Sequence, residues 1–285
     1  MKILVTGACG MLAADLIPAL SNHKVKPLTY TQLDICDLSA VICAVREAKP
    51  KVIINCAAYT KVDACETESE LAYAVNGTAP GNLAKAAAKV KADLLHISTD
   101  YVFDGTKKMP YVEDDAVNPL SVYGKSKLQG EENVRIYDRH YIVRTQWLYG
   151  QKGQNFVKTM LRLGLDRPEV RVVADQLGSP TNTCDLAGAI AELIMTGAYG
   201  TYHITNSGFT SWYGFACDIF KYAKITTPTV PIKTEEYLVP AKRPAYSPLA
   251  NRNWLALGKQ PLRCYREALQ EYLSFSTSQI QNINK

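Results

Sequence analysis

Lys2-Ile3-Leu4-Val5-Thr6, followed at once by Gly7-Ala8-Cys9-Gly10-Met11-Leu12-Ala13, decides the fold of this chain. The first five residues are mostly apolar or β-branched and predict a short strand. The spacing G-x-x-G-x-x-A then opens a helix, whose apolar periodicity runs over Met11-Leu20. Glycines at 7 and 10 permit a tight turn and let backbone approach a pyrophosphate, and Ala13 is small enough for close helix–strand packing. The amides and dipole at such a helix start favour an anion. A lone glycine pattern is weak evidence, and its force here comes from its place at the head of a long alternating series.

That series continues outward. Strands are predicted at Val25-Leu28, Val52-Ile54, Leu94-Ser98 and Tyr141-Arg144, separated by helical patterns at Leu38-Ala48, Glu68-Val90 (in two pieces joined near Gly77-Pro80) and Leu120-Val134. Strands alternating with helices imply βαβ units, hence an α/β, Rossmann-type doubly wound parallel sheet. After Tyr149-Gly150 the rhythm loosens. Helices are expected at Phe156-Leu165, Cys184-Met195, Trp212-Ala223 and Arg266-Leu273, with strands at Val170-Val173 and Tyr202-Ile204. Residues 1–150 with about 172–205 therefore read as an NAD(P)-binding domain. About 151–171 and 206–273 read as a smaller, discontinuous substrate-binding domain, and 274–285 as a loose tail.

Composition narrows the class. The 285 residues are 47% hydrophobic and 21% charged, which excludes extensive disorder. No apolar stretch approaches a membrane span or a secretory signal, so a cytoplasmic protein is expected. The net charge of +5 is spread without a basic run longer than a pair such as Lys107-Lys108, which speaks against nucleic acid while favouring a phosphorylated substrate. Eight cysteines form no CxxC pair and read as reduced thiols, several of them buried, and four isolated histidines offer no metal-ligand spacing.

The chemistry lies in Tyr123-Gly124-Lys125-Ser126-Lys127 and Ser98-Thr99-Asp100-Tyr101-Val102-Phe103. Tyr123 and Lys127, four apart, share one helix face. A phenol is a poor acid at neutral pH, and an adjacent ammonium is expected to lower the Tyr123 pKa and make it a general acid, with Lys127 also binding a ribose hydroxyl. Thr99 falls at the carboxyl end of a strand, where ligands of such sheets bind, and its hydroxyl can hydrogen-bond a substrate carbonyl. The end of the second strand, Pro27-Leu28-Thr29-Tyr30, carries no acid for an adenosine ribose, which favours NADPH, with NADH as an alternative donor. Lys26 reads as a surface lysine, and Asp34 as a flank of the adenine.

Taken together, Ala57-Ala58-Tyr59-Thr60-Lys61-Val62-Asp63, Ser98 to Gly105, Tyr123 to Lys127, Arg144 to Gly150, Asp175 to Thr181 and Arg243-Pro244 resemble the dTDP-4-dehydrorhamnose reductases, a branch of the extended short-chain dehydrogenase/reductases. The resemblance spans Gly7 to about Pro244. It implies hydride transfer from a reduced nicotinamide to C4 of a dTDP-4-keto-6-deoxyhexose, giving dTDP-L-rhamnose. It also implies that Gly10, Met11, Leu12, Asp34, Ile35, Ala58, Tyr59 and Thr60 lie along the dinucleotide. Thr99, Asp100 and Trp147 would face the sugar nucleotide. Asn76 would only order the backbone. The sequence departs from the branch at Ala13, where glycine is common, and at Gln146, where serine is frequent.

Two rival readings stand beside it. An epimerase would use the same hydroxyl, phenol and ammonium without net oxidation, whereas a dehydratase would want Asp and Glu together, and Asp100 is followed by Tyr101. A non-catalytic dinucleotide-binding subunit, similar to the regulatory subunit of methionine adenosyltransferase, is the alternative from a different class. A dTDP-sugar partner, no metal and a homodimer complete the expectations.

Overall fold

The computed structural model describes the backbone of residues 1–283 and the side chains of residues 1–274. In chain order the first half gives β1 (Lys2–Thr6), α1 (Met11–Ala19), β2 (Lys24–Leu28), α2 (Leu38–Ala48), β3 (Val52–Asn55), α3 (Ser69–Ala72), α4 (Ala79–Val90), β4 (Asp93–Thr99), α5 (Val122–Arg135) and β5 (His140–Thr145). The second half gives β6 (Leu148–Tyr149), α6 (Phe156–Asp166), β7 (Val170–Val173), β8 (Leu177–Gly178), β9 (Thr181–Asn182), α7 (Thr183–Leu193), β10 (Gly200–His203), β11 (Thr210–Ser211), α8 (Trp212–Ala223), β12 (Thr229–Ile232), α9 (Arg252–Ala256) and α10 (Tyr265–Ile283).

Six strands form one sheet in the order β10-β5-β4-β3-β1-β2, every pair parallel. The chain winds one way from β1 to β2 and the other way from β3 onward, so the order reverses between β1 and β3. A crevice opens at such a switch point, beyond the carboxyl ends of the strands. Both faces are covered, as all-parallel sheets require. One face packs Ile3, Val5, Ile54 and Tyr141 against α1 and α7, and the other packs Leu4, Ile53, Leu94 and Ile142 against α2, α4 and α5. The two pieces expected within Glu68-Val90 are α3 and α4, joined by a π-helical turn at Tyr73–Thr78. No helix among the described residues is long and apolar enough to cross a membrane.

A second core gathers Val157 and Met160 of α6, Val170 and Val172 of β7, Phe215 and Ile219 of α8, and Tyr265, Leu269 and Tyr272 of α10. Small strand pairs hold its rim: β7 with β12, β8 with β11, and β6 with β9.

Three expectations change. The division placed at 171–172 cuts β7, whose register with β12 and burial in the second core tie residues 170–173 to the smaller portion. The segment from residue 274, expected as a loose tail, continues α10 as far as Ile283, since nothing between Ser274 and Ile283 is a Pro or Gly that would stop a helix already nucleated on the core. Of the cysteines, Cys65 alone is fully buried, and Cys9, Cys43 and Cys184 are exposed.

Candidate active site

Gly7 and Gly10 set the entrance to the crevice. Gly7 takes φ +68°, and a Cβ there would lie 2.5 Å from the backbone nitrogen of Ala57, so only glycine lets the loop after β1 close on the loop after β3. The Gly10 amide donates to the Gly7 carbonyl at 2.8 Å, and α1 starts at Met11 with no side chain capping its first turn. Those amides face a cleft lined by Gly10, Met11 and Leu12, which suits a pyrophosphate. An adjoining hollow is lined by Gly7, Gly10, Tyr30, Asp34, Ile35, Ala58 and Tyr59, and shares Gly10 and Ala58 with the cleft. Every residue expected along the dinucleotide, Thr60 included, thus borders one continuous groove.

Asn76 orders the β3 side of that groove. Its side chain accepts from the Tyr59 amide at 2.8 Å and donates to the Tyr59 carbonyl at 3.0 Å and to the Ser126 hydroxyl at 3.2 Å. The π-turn that carries Asn76 is what turns it toward these groups, a device common near functional sites. The Tyr59 hydroxyl donates to Glu68, which pushes the Tyr59 phenol up to about 12. Lys26 is paired with Glu47 at 3.2 Å, away from the groove.

The deep end of the cleft is lined by Thr99, Asp100, Tyr123, Lys127 and Trp147. Helix α5 starts at Ser121, whose hydroxyl accepts from the Gly124 amide at 3.2 Å. A Cβ on Gly124 would sit 2.3 Å from the Tyr101 carbonyl oxygen, so this glycine lets α5 press onto the turn after β4 and bring Tyr123 beside Thr99. The Thr99 hydroxyl donates to Asp100 at 3.1 Å and accepts from the Tyr101 amide at 3.2 Å.

Burial dominates the electrostatics. Asp100 is fully buried, one of its oxygens has no side-chain or backbone partner, and burial raises its pKa to about 6, with the nearby Ser247 and Thr99 hydroxyls opposing the rise. Lys127 donates to the Ile97 carbonyl at 2.6 Å, and burial lowers it to about 8. Tyr123 departs from expectation. Its phenol is pushed well above the ordinary value by burial and the nearby Asp100, with only the Thr99 hydroxyl pulling it down. The depression expected from Lys127 is absent because burial brings Lys127 itself down to about 8, so the amine has lost its charge before so weak a phenol titrates.

Trp147 adopts φ +49°, in the left-handed region, and lies flat on Trp212 with ring centroids 3.5 Å apart and planes 9° from parallel. Stacking from the second core thus fixes an aromatic wall contributed from the end of β5. Gln146 also borders the cleft. It exchanges hydrogen bonds with Ser247, donating to its carbonyl at 3.0 Å.

Sequence reading missed the clamp between distant segments. Asp63 and Arg243 form a two-pronged ion pair at 2.8 and 3.1 Å, which holds the Asp63 carboxyl below its usual range. Asp175 accepts from the Thr234 amide and hydroxyl, at 2.9 and 2.6 Å. The first pair joins two stretches singled out separately, and the signal was only that each kept a charge with no local partner. Cys56, Ile97 and Ser98 also border the cleft and were not among the expected site residues.

Comparison with known proteins shows the family. The family model described as RmlD substrate binding domain matches residues 1–277. A dTDP-4-dehydrorhamnose reductase of Streptomyces griseus is 46% identical over 278 residues, 94% of this chain and 91% of that protein. The crystal structure of a dTDP-4-dehydrorhamnose reductase from Clostridium acetobutylicum superposes with TM-score 0.95 at 48% identity, covering 97% of this chain and 100% of that one. A second, from Bacillus anthracis in complex with NADP, gives TM-score 0.94 at 43% identity over 95% and 98% of the two chains. With its parallel sheet, its glycine loop and a family match over nearly its whole length, the chain belongs to the RmlD substrate binding domain family, alongside the dTDP-4-dehydrorhamnose reductases it resembles.

Proposed function

We propose that this protein is an NADPH-dependent reductase of the 4-keto group of dTDP-4-dehydro-L-rhamnose, giving dTDP-L-rhamnose. The observation that carries the reading is the meeting of Thr99, Tyr123 and Lys127 in one cleft that continues into the groove past Gly7 and Gly10. A reduced nicotinamide, when bound, supplies the hydride. Tyr123 then gives its phenolic proton to the oxygen of the former carbonyl. A raised pKa is no obstacle in this direction: the phenol keeps its proton throughout the neutral range, and an alkoxide is a far stronger base than a phenolate, so transfer runs downhill. Thr99 turns its hydroxyl to the carbonyl oxygen, Lys127 holds the ribose, and Asp100 offers its free oxygen to a sugar hydroxyl beside the Trp147 wall.

NADP in the Bacillus anthracis relative supports NADPH here. The adenosine end of the groove has Asp34 but no Lys or Arg among its lining residues, so NADH is expected to serve as well. The smaller portion of the chain would hold the nucleotide, and a cytoplasmic setting fits a sugar-nucleotide substrate.

Absorbance of the reduced nicotinamide, followed with a panel of 4-keto sugar nucleotides, tests the reading. Oxidation should need the keto sugar, and Tyr123→Phe should lower kcat by about 100-fold or more while dinucleotide binding stays near wild type. Interconversion of sugars without net NADPH loss would favour an epimerase, and binding without turnover a regulatory protein.

A further inference from the structure

Below Lys127 lies a buried polar chain that the proposed reaction does not use. Asn55, at the end of β3, accepts through Oδ1 from the Thr6 hydroxyl at 2.7 Å and from the Ala57 amide at 3.1 Å. A backbone N–H can only donate, so the amide orientation of Asn55 is settled, and its Nδ2 points at His96 Nδ1, 3.0 Å away. An amide NH2 can only donate, so Nδ1 must accept. The proton of a neutral imidazole then sits on Nε2, which lies 3.3 Å from Lys127 Nζ. His96 has no exposed surface, and burial together with Lys127 holds its pKa well below the ordinary value, so the ring stays neutral. An N–H aimed at an ammonium is unfavourable, whereas the same N–H aimed at an amine is a hydrogen bond.

We propose that His96 is a positioning residue for Lys127: locked by Thr6 and Asn55 with Nε2–H toward Nζ, it favours the uncharged amine and makes the charge of Lys127 titrate within the working pH range. Other groups facing Lys127 act the other way. Glu131 on α5 favours the ammonium, but it is held by Arg144 at 2.7 Å and Arg135 at 2.8 Å, and Cys56, just after β3, stays an uncharged thiol because burial pushes it up to about 12. The catalytic weight of His96 rests on the reductase reading, but its tautomer and its effect on Lys127 do not.

Nitrogen NMR of the intact, histidine-labelled protein reads the tautomer, and the 13Cε resonance of Lys127, assigned by its loss in Lys127→Met, reads the ammonium. His96 should show a protonated Nε2 and a bare Nδ1, unchanged from pH 6 to 9. Lys127 should titrate near pH 8, below the other lysines. In His96→Gln, whose Oε1 can accept from Nζ, the midpoint should rise by about one pH unit. A proton on Nδ1, or a midpoint that does not rise in the folded variant, overturns the proposal. If the variant does not fold, the wild-type imidazole spectrum decides alone. Both spectral results in a protein that reduces no keto sugar would uphold the role of His96 and defeat the reductase reading.

Discussion

Burying Asp100 with one oxygen left without a protein partner works against stability at neutral pH. Folded, the carboxyl keeps its proton up to about pH 6, whereas the unfolded chain releases it near 3.8. The native state therefore binds the extra proton between those values, and stability falls as pH rises through that window and stays lowered above it. The penalty is about 3 kcal/mol at pH 7. Asp100→Asn should raise unfolding free energy by about 1–3 kcal/mol at pH 7.5 and by much less at pH 4.5. Turnover should drop in the same variant if the free oxygen takes a sugar hydroxyl. Denaturant titrations at the two pH values check the sign. Single residues were also where sequence reading was weakest. The pairing of Tyr123 with Lys127 on one helix face was legible from their spacing, but the direction of the Tyr123 shift was not. That direction depends on the burial of the phenol and on Asp100, which reaches the site from another strand end.

Helix α5 is held where it is by a glycine with no turn to make. Gly124→Ala would drive a methyl group into the Tyr101 carbonyl, and α5 must then lift from the turn after β4. We expect a loss of about 2 kcal/mol or more in thermal or chemical melts, with kcat falling further than KM rises. Gly188, on the exposed side of α7, is the control: an added Cβ meets nothing within 4 Å, and Gly188→Ala should stabilise by about 0.5–1 kcal/mol. Elements of this length declare themselves in sequence. The bounds of α2 and α8 coincide with the apolar periodicity, because each is amphipathic and at least 11 residues long. The two-residue strands β6, β8, β9 and β11 left no pattern to read, since their pairing is decided by tertiary contact.

Across the whole molecule, the Asp63–Arg243 pair ties the loop before α9 to the groove side of the sheet. The pair is partly exposed, so its loss should weaken global stability by about 1 kcal/mol or less. Its effect should be local. Arg243→Ala is expected to speed tryptic cleavage at Lys233 or Lys242 and to raise KM for the sugar nucleotide, leaving dinucleotide affinity near wild type. Equal cleavage rates with and without the substitution would remove the clamp from the account. The loss of regular strand–helix alternation near Gly150 was legible in the sequence. Membership of the two cores was not, because it is decided by tertiary contact: Tyr149 and β7 lie in the second core, while Trp254 returns to the first.

That return of Trp254, together with β10 at the sheet edge and α7 against α1, bears on how such a protein could be re-engineered. No single crossover in the gene separates the residues of the first core from those of the second. A chimaera joined once at residue 150 would take the outermost strand of the main sheet from the other parent, and with it the apolar partners that α7 supplies to Leu16 and Tyr141. Exchanging sugar preference by recombination therefore calls for several short transplants into an intact recipient rather than one exchange of tails.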